Sequence, residues 1–214
     1  MSESDPARSA KRRIVLWRHG QTAWNVENRF QGKTDIPLTE AGLGQAERAA
    51  RLLAALKPTA IIASPLQRAA RTGQALADIT GLPITYDDDL KERDGGEWEG
   101  LTGVEIRSRY PREHAIWQPP GGETSAQVAK RVGSALERAV ATVEHEGVLV
   151  VASHGAALRL GMCQLLGLPE DLWERFGGLS NCCWSVLAEG RSGWRLIDHN
   201  AGTLPEPIMS DDQA

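Results

Sequence analysis

Two histidines and two arginines stand where a folded chain could gather them to work on an anion. Arg18-His19-Gly20 follows the apolar run Ile14 to Trp17, and His154-Gly155 follows the run Val148 to Ala152 and Ser153. Arg68 comes just after a third run, Ala60 to Ala63, in the segment Ser64-Pro65-Leu66-Gln67-Arg68. Such runs are too short for helices, and their branched residues suit strands buried on both faces. In open α/β sheets, ligands bind just outside the carboxyl ends of the strands, where all three segments fall. Two permanent cations and two imidazoles suit a phosphate dianion, because the arginine fork fixes orientation as well as charge. A neutral imidazole is nucleophilic near pH 7, which makes His19 a candidate nucleophile for covalent catalysis. Taken singly, a histidine is more often structural, and either arginine could simply pair with an acid. Four such residues at strand ends and a helix start make coincidence the weaker account.

The intervening segments supply the elements that must position these residues. Gln21 to Asp35 reads as a polar loop. Thr39 caps a helix whose apolar positions are Leu43, Ala46, Ala50, Leu53 and Leu56, with Leu38 and Leu43 placed as a hydrophobic staple. Pro58 stops it. Ser64-Pro65-Leu66-Gln67 predicts a helix start with Ser64 as cap, Pro65 at the first helical position and Gln67 closing the box, so Arg68 lies in the first turn. A helix N-terminus there already favours an anion. Leu82 to Tyr86 predicts a short strand, and Asp87 to Gly100 an acidic loop. Thr102-x-x-Glu105 starts a short helix ending near Tyr110-Pro111, and Trp117-Gln-Pro-Pro-Gly-Gly is a stiff loop. Thr124-x-x-Gln127 caps a long helix with Val128, Val132, Leu136, Ala139 and Val143 on its apolar face. A helix from Ala156 to Leu166, closed by Gly167, follows His154. Asn181 to Leu187 and Trp194 to Asp198 read as two late strands, an antiparallel pair. The alternation of strands and helices predicts a three-layer αβα sandwich with a mostly parallel central sheet.

Composition narrows the function classes. The 214 residues provide for one sizeable domain. A formal charge of −4 leaves no electrostatic footprint for nucleic acid. No apolar run is long enough to span a bilayer, and no signal-peptide core precedes Ile14. Residues 1–11 are expected to form a disordered tail and 203–214 a flexible one, on either side of a domain at 12–202. Cys163, Cys182 and Cys183 are odd in number and lack metal-ligand spacing, as expected of reduced packing residues in a cytoplasmic protein. A homodimer is left open by these observations.

The motifs together resemble the histidine phosphatase superfamily, the phosphoglycerate-mutase-like fold. The resemblance lies in Arg18-His19-Gly20-Gln21-Thr22 with Asn25, and in Gln31-Gly32, Leu38-Thr39-x-x-Gly42 and Ser64-Pro65-Leu66-x-Arg68-Ala69. It continues through Glu92, Gly121-Gly122-Glu123 and Ser153-His154-Gly155, so that it covers about residues 12–200. It implies that His19 accepts the phosphoryl group and that Arg18, Arg68, His154 and Gly155 form the phosphate pocket, with Asn25 as an added donor. Gln31 and Gly32 would line its mouth, and Glu92 would be the proton donor. Physical chemistry agrees with those roles. Fixed cations meet the charge on the phosphoryl oxygens in place of a metal, so neither metal nor cofactor is expected. An alkoxide leaves poorly unless a carboxylic acid protonates it, and the same group can then activate water. Glu97 and Glu99 are nearby acids, more simply read as solvated loop charges.

Within the superfamily three readings compete: a phosphatase for small phosphomonoesters, a phosphoglycerate mutase, and a non-catalytic phosphate-binding module. The last loses ground because every chemical position holds the required residue type. Mutases resemble this chain less between Glu92 and Gly122, where it has neither a lysine nor an Arg-Arg pair. Glu92-Arg-Asp-Gly-Gly-Glu-Trp-Glu-Gly-Leu-Thr is similar to the phosphatase branch, of broad-specificity or glucosyl-3-phosphoglycerate type, with a small phosphorylated metabolite as partner. α-Ribazole phosphatase and protein phosphohistidine phosphatase are further candidates. Trp117 and Trp24 are expected as a wall for the organic part of the substrate. Trp98 fits loop packing at least as well.

Overall fold

The computed structural model describes residues 11–202. The tails expected at 1–11 and 203–214 therefore lie outside the described residues, Lys11 apart. A six-stranded sheet is built from β1 (Arg13–Arg18), β2 (Ala60–Ala63), β3 (Ile84–Tyr86), β4 (Val148–Ser153), β5 (Trp184–Gly190) and β6 (Gly193–Ala201). Its spatial order is β3-β2-β4-β1-β5-β6. The first four strands run parallel, whereas β5 lies antiparallel to β1 and β6 antiparallel to β5.

Side-chain alternation creates the layers. Ile14, Leu16, Leu149 and Val151 enter one core with the apolar faces of α6 (Ser125–Ala141) and α7 (Gly155–Leu165). Val15, Trp17, Val148, Val150 and Ala152 enter the other, with α2 (Glu40–Ala54) and α3 (Gln67–Thr80). Because β1 and β4 are buried on both faces, neighbouring residues serve opposite cores. The result is the three-layer αβα sandwich that the sequence pattern predicts.

Local capping chemistry sets several helix starts as expected. The Thr39 side chain accepts from the Gly42 N–H, and Thr102 and Thr124 form reciprocal capping boxes with Glu105 and Gln127. Two short helices were absent from the sequence reading: α1 (Ala23–Val26), inside the polar loop, and α5 (Pro111–Ala115), which follows α4 (Gly103–Arg109). The Ser64 cap is also corrected. α3 begins at Gln67 behind Leu66, which makes no side-chain cap bond, and the N-terminus is served from outside by Asp35, whose carboxylate accepts from the Gln67 N–H at 2.8 Å. Ser64 is fully buried and spends its hydroxyl on His154. Arg68 still falls in the first turn. The α7 helix starts one residue early, at Gly155, and β5 begins at Trp184 rather than Asn181.

The sheet register is what assembles a site. Arg18 lies beside Ser153 and Ala63 beside Ala152. His19, Ser64 and His154 therefore leave three adjacent strands at one edge. The loop after β1 is then pressed against the start of α2. A Cβ at Gly20 or Gly42 would collide with backbone across that contact, so neither position accepts a side chain.

Candidate active site

His19 is 2% exposed, with its N–H donating to the Ser153 carbonyl. Its carbonyl accepts from the Cys182 N–H and the Asn181 amide. Its Nδ1 lies 2.7 Å from the Gly20 carbonyl oxygen. A carbonyl can only accept, so Nδ1 carries the proton and Nε2 presents a lone pair. Burial, then the charges of Arg68 and Arg18, hold its pKa well below the usual imidazole range. The ring therefore stays neutral and nucleophilic into acid.

His154 packs edge-on against His19, their centroids 5.2 Å apart. Its Nδ1 accepts from Arg68 Nε at 3.2 Å, which leaves the proton on Nε2 to be donated to Ser64 Oγ at 2.8 Å. Burial, then Arg68, His19 and Arg18, lower its pKa as well. Arg68 is fully buried and donates through Nη1 to the Thr34 carbonyl and through Nη2 to the Gly32 carbonyl. Arg18 donates through Nη1 to the Leu179 carbonyl.

Two further donors converge on this centre. The Asn25 Oδ1 accepts from Thr22 N and from Asn181 Nδ2, and the one proton of the Thr22 hydroxyl is shared between Asn25 Oδ1 at 3.0 Å and Gln31 Oε1 at 2.9 Å. The backbone N–H of Thr22 fixes the Asn25 amide, and the buried Asn25 Nδ2 and Gln31 Nε2 have no hydrogen-bond partner among the described residues. An unmet buried donor costs about 1–3 kcal/mol, which an anion in the site would offset.

Glu92 is 7% exposed and sits across the N-terminus of α7. Its Oε1 accepts from the N–H groups of Arg93 and Ala157, and its Oε2 from that of Ala156. Arg131 of α6 holds the backbone carrying it, donating to the carbonyls of Asp89, Lys91 and Glu92. Arg131 also pairs with Glu123 at 2.7 Å. Burial alone would raise the Glu123 pKa. The Arg131 hydrogen bond, the Asp94 N–H and the charges of Arg131 and Lys33 overcome it and bring the value down to about 2.

A carboxylate so depressed stabilises the fold above its ordinary value of 4.5, and that contribution is lost as pH falls toward about 2. Native protein should accordingly lose Tm more steeply between those limits than Glu123→Gln, measured by thermal unfolding across acid pH. Parallel curves would mean that the pair does not act on stability.

A cleft opens over this centre, lined by Arg18, Gln31, Gly32, Glu92, Trp117 and Gly155 from the sequence-named set. His19, Arg68, His154 and Asn25 are not among its lining residues: Arg68 is tied to it through the Gly32 carbonyl, His154 through Arg68, and His19 through its ring contact with His154. Trp117 is half-buried and touches Phe30, Trp98 and His114 ring to ring. Trp98 is fully buried in that cluster, which fits the packing role. Trp24 is not among the lining residues: a Cβ at Gly100 would meet its ring at 3.3 Å, placing it against the loop instead. Glu97 is exposed and accepts from the Tyr110 hydroxyl, and Glu99 is tied into backbone, so neither lines the cleft. A separate groove between α2 and α3, bordered by Leu43, Arg51, Arg71 and Ile79, shares no residue with the site.

Sequence reasoning missed Arg159 and Phe30 and took Ser64 only as a cap and motif residue; Arg93, one of the arginines that left an anionic substrate tail open, does line the cleft. Arg159 is 8% exposed and lines the cleft from α7. The signal was its spacing: four residues after Gly155, one helical turn along the same face. Among the described residues no group of three or more His, Cys, Asp or Glu could hold a metal ion, and no helix is long and apolar enough to cross a membrane.

Comparisons with known proteins bear on the family and the fold. The description of the histidine phosphatase superfamily (branch 1) matches residues 14–202. A glucosyl-3-phosphoglycerate phosphatase of Mycolicibacterium vanbaalenii is 37% identical over 213 residues, covering 89% of this chain and 95% of that protein. The solved structure of a mycobacterial glucosyl-3-phosphoglycerate phosphatase complexed with VO3 superimposes with a TM-score of 0.85 at 36% identity, over 89% of this chain and 100% of the other. A probable phosphoglycerate mutase of Salmonella paratyphi C is 36% identical over 189 residues, 85% of this chain and 86% of that protein.

Proposed function

The chain belongs to the histidine phosphatase superfamily and is a phosphoric monoester hydrolase, and from that premise we propose that it hydrolyses small sugar-bearing phosphoglycerate esters through a phosphohistidine on His19. The observation that carries this reading is the His19 Nε2 lone pair beside Arg18 and Arg68, with the Glu92 carboxyl group in the cleft that Arg18 lines. In the first step Nε2 attacks phosphorus, the ester P–O bond breaks, and Glu92 gives its proton to the departing alkoxide. In the second step water attacks phosphorus, Glu92 takes its proton, and the N–P bond breaks to release phosphate and neutral His19. Arg18, Arg68, Asn25 Nδ2 and Gln31 Nε2 meet the charge on the phosphoryl oxygens throughout.

Two features support the substrate class. Arg93 and Arg159 line the cleft beyond the phosphate centre, where a carboxylate would find a cation, and the relatives named above act on a phosphoglycerate. Phe30 and Trp117 offer flat apolar faces to a sugar ring. Arg107, Arg109 and Arg112, the other basic residues between Glu92 and Gly122, are exposed and do not line the cleft, which disfavours the mutase reading. The three cysteines carry no disulfide, in keeping with a cytoplasmic site of action on a phosphorylated metabolite.

A panel of phosphomonoesters with phosphate release as readout tests the assignment. The highest kcat/KM should go to glucosyl-3-phosphoglycerate, ahead of glycerol phosphate. Trp117→Ala should raise KM for the sugar ester about tenfold, equivalent to about 1.4 kcal/mol, while leaving glycerol phosphate nearly unchanged. Interconversion of phosphoglycerates without phosphate release would replace the phosphatase with the mutase. Equal losses on both esters with a lower Tm would make Trp117 a packing residue.

A further inference from the structure

Glu99 has the form of a solvated loop charge in the sequence, but its carboxylate collects four donors in the fold. Oε1 accepts from the N–H groups of Lys33 and Gly95, and Oε2 from the N–H and hydroxyl of Thr34. The segment it grips is the one whose Gly32 and Thr34 carbonyls hold the two terminal nitrogens of Arg68. Arg68 in turn reaches His154 through Nε. Gly32 is shaped to the same contact: it adopts φ of +52°, and a Cβ there would collide with the Glu99 carboxylate.

We propose that Glu99 is the positioning residue of the phosphate site, setting the 31–34 segment so that Arg68 and Gln31 are held at the anion. This rests on the phosphate-site reading above. Glu99 touches neither phosphate nor leaving group and moves no proton; it acts through Arg68. A carboxylate suits the role because both oxygens accept. An amide that keeps its oxygen at the Oε1 position turns its NH2 toward the Thr34 hydroxyl, which can rotate to accept, and toward the Thr34 N–H, so Glu99→Gln loses that N–H bond and sets donor against donor there.

The test compares native enzyme, Glu99→Gln and Thr34→Val, the last removing only the hydroxyl donor. Tm, the Ki of inorganic phosphate, and kcat/KM for glycerol phosphate and a nitrophenyl phosphate are measured for each. A displacement of about 1 Å at a reacting centre can cost about 10²-fold. Glu99→Gln should therefore raise the phosphate Ki and lower kcat/KM by about that factor, equally for both esters, and Thr34→Val should shift both in the same direction by less. A lower Tm with an unchanged phosphate Ki would overturn the proposal in favour of plain structure. A loss confined to the alkyl ester would overturn it in favour of proton donation by Glu99. Should Glu99→Gln fail to fold, an unchanged Ki in Thr34→Val overturns it alone. Failure of native enzyme to be inhibited by phosphate would instead strike the phosphate-site reading itself.

Discussion

His19→Ala should abolish turnover, by a factor on the order of 10⁶ in kcat if His19 is the nucleophile proposed here. The fold should survive, because the backbone of His19, not its ring, carries the bonds to Ser153, Asn181 and Cys182. The ring's own polar contact is with the adjacent Gly20 carbonyl. Native enzyme quenched during turnover of labelled substrate should yield an acid-labile, base-stable phosphoenzyme that the variant lacks. The depressed pKa adds a second readout. Burial and the two arginines keep the folded imidazole neutral, so phosphoenzyme formation should not decline as pH falls through 6.5, where an ordinary histidine protonates. The same shift works against stability. Below 6.5 the unfolded chain binds a proton that the folded one does not, so stability falls as pH drops. His19→Ala removes that contribution and should show a shallower acid loss of Tm than native protein. Retained activity in the variant would end the covalent mechanism.

What was legible in the sequence is what local chemistry decides. The β2 run Ala60–Ala63 declares itself by branched residues, and Thr39, Thr102 and Thr124 cap helices with donors three residues away. What was illegible is decided across the chain. α1 has four residues and no apolar period; Thr22 and Asn25 cap it, and Asn181, 156 positions later, locks the same amide. Ser64 carries every local mark of a cap, yet its hydroxyl goes to His154, 90 positions away. Glu99 looked solvated because most of its donors are backbone N–H groups, which leave no mark in a residue pattern. Arg159 was readable only after Gly155 was known to open a helix. His19 and His154 were legible for the opposite reason: each stands one residue past a buried strand, so the register of β1 against β4 brings them together, whereas Glu92 follows the exposed β3 and is held by Arg131.

Glu92→Gln should slow alkyl phosphates by about 10²–10⁴-fold, the usual worth of a positioned general acid. An alkoxide leaving without a proton is the step that suffers. A nitrophenolate needs little protonation to depart, so phosphoryl transfer from that ester to His19 should be hindered far less. Hydrolysis of the phosphoenzyme also needs a base in the proposed mechanism, so the nitrophenyl ester should show a burst of nitrophenol followed by slow turnover. The substitution has a structural side as well. Oε1 accepts two N–H groups and Oε2 one, so an amide can keep its oxygen at the Oε1 position and lose only the bond from Ala156. That single loss at the start of α7 acts on both esters alike and cannot produce a difference between leaving groups. The ratio of the two single-turnover rates therefore isolates the chemistry from the packing. Equal damage to both esters, with no burst, would assign Glu92 to holding the N-terminus of α7 and would leave the source of the proton open.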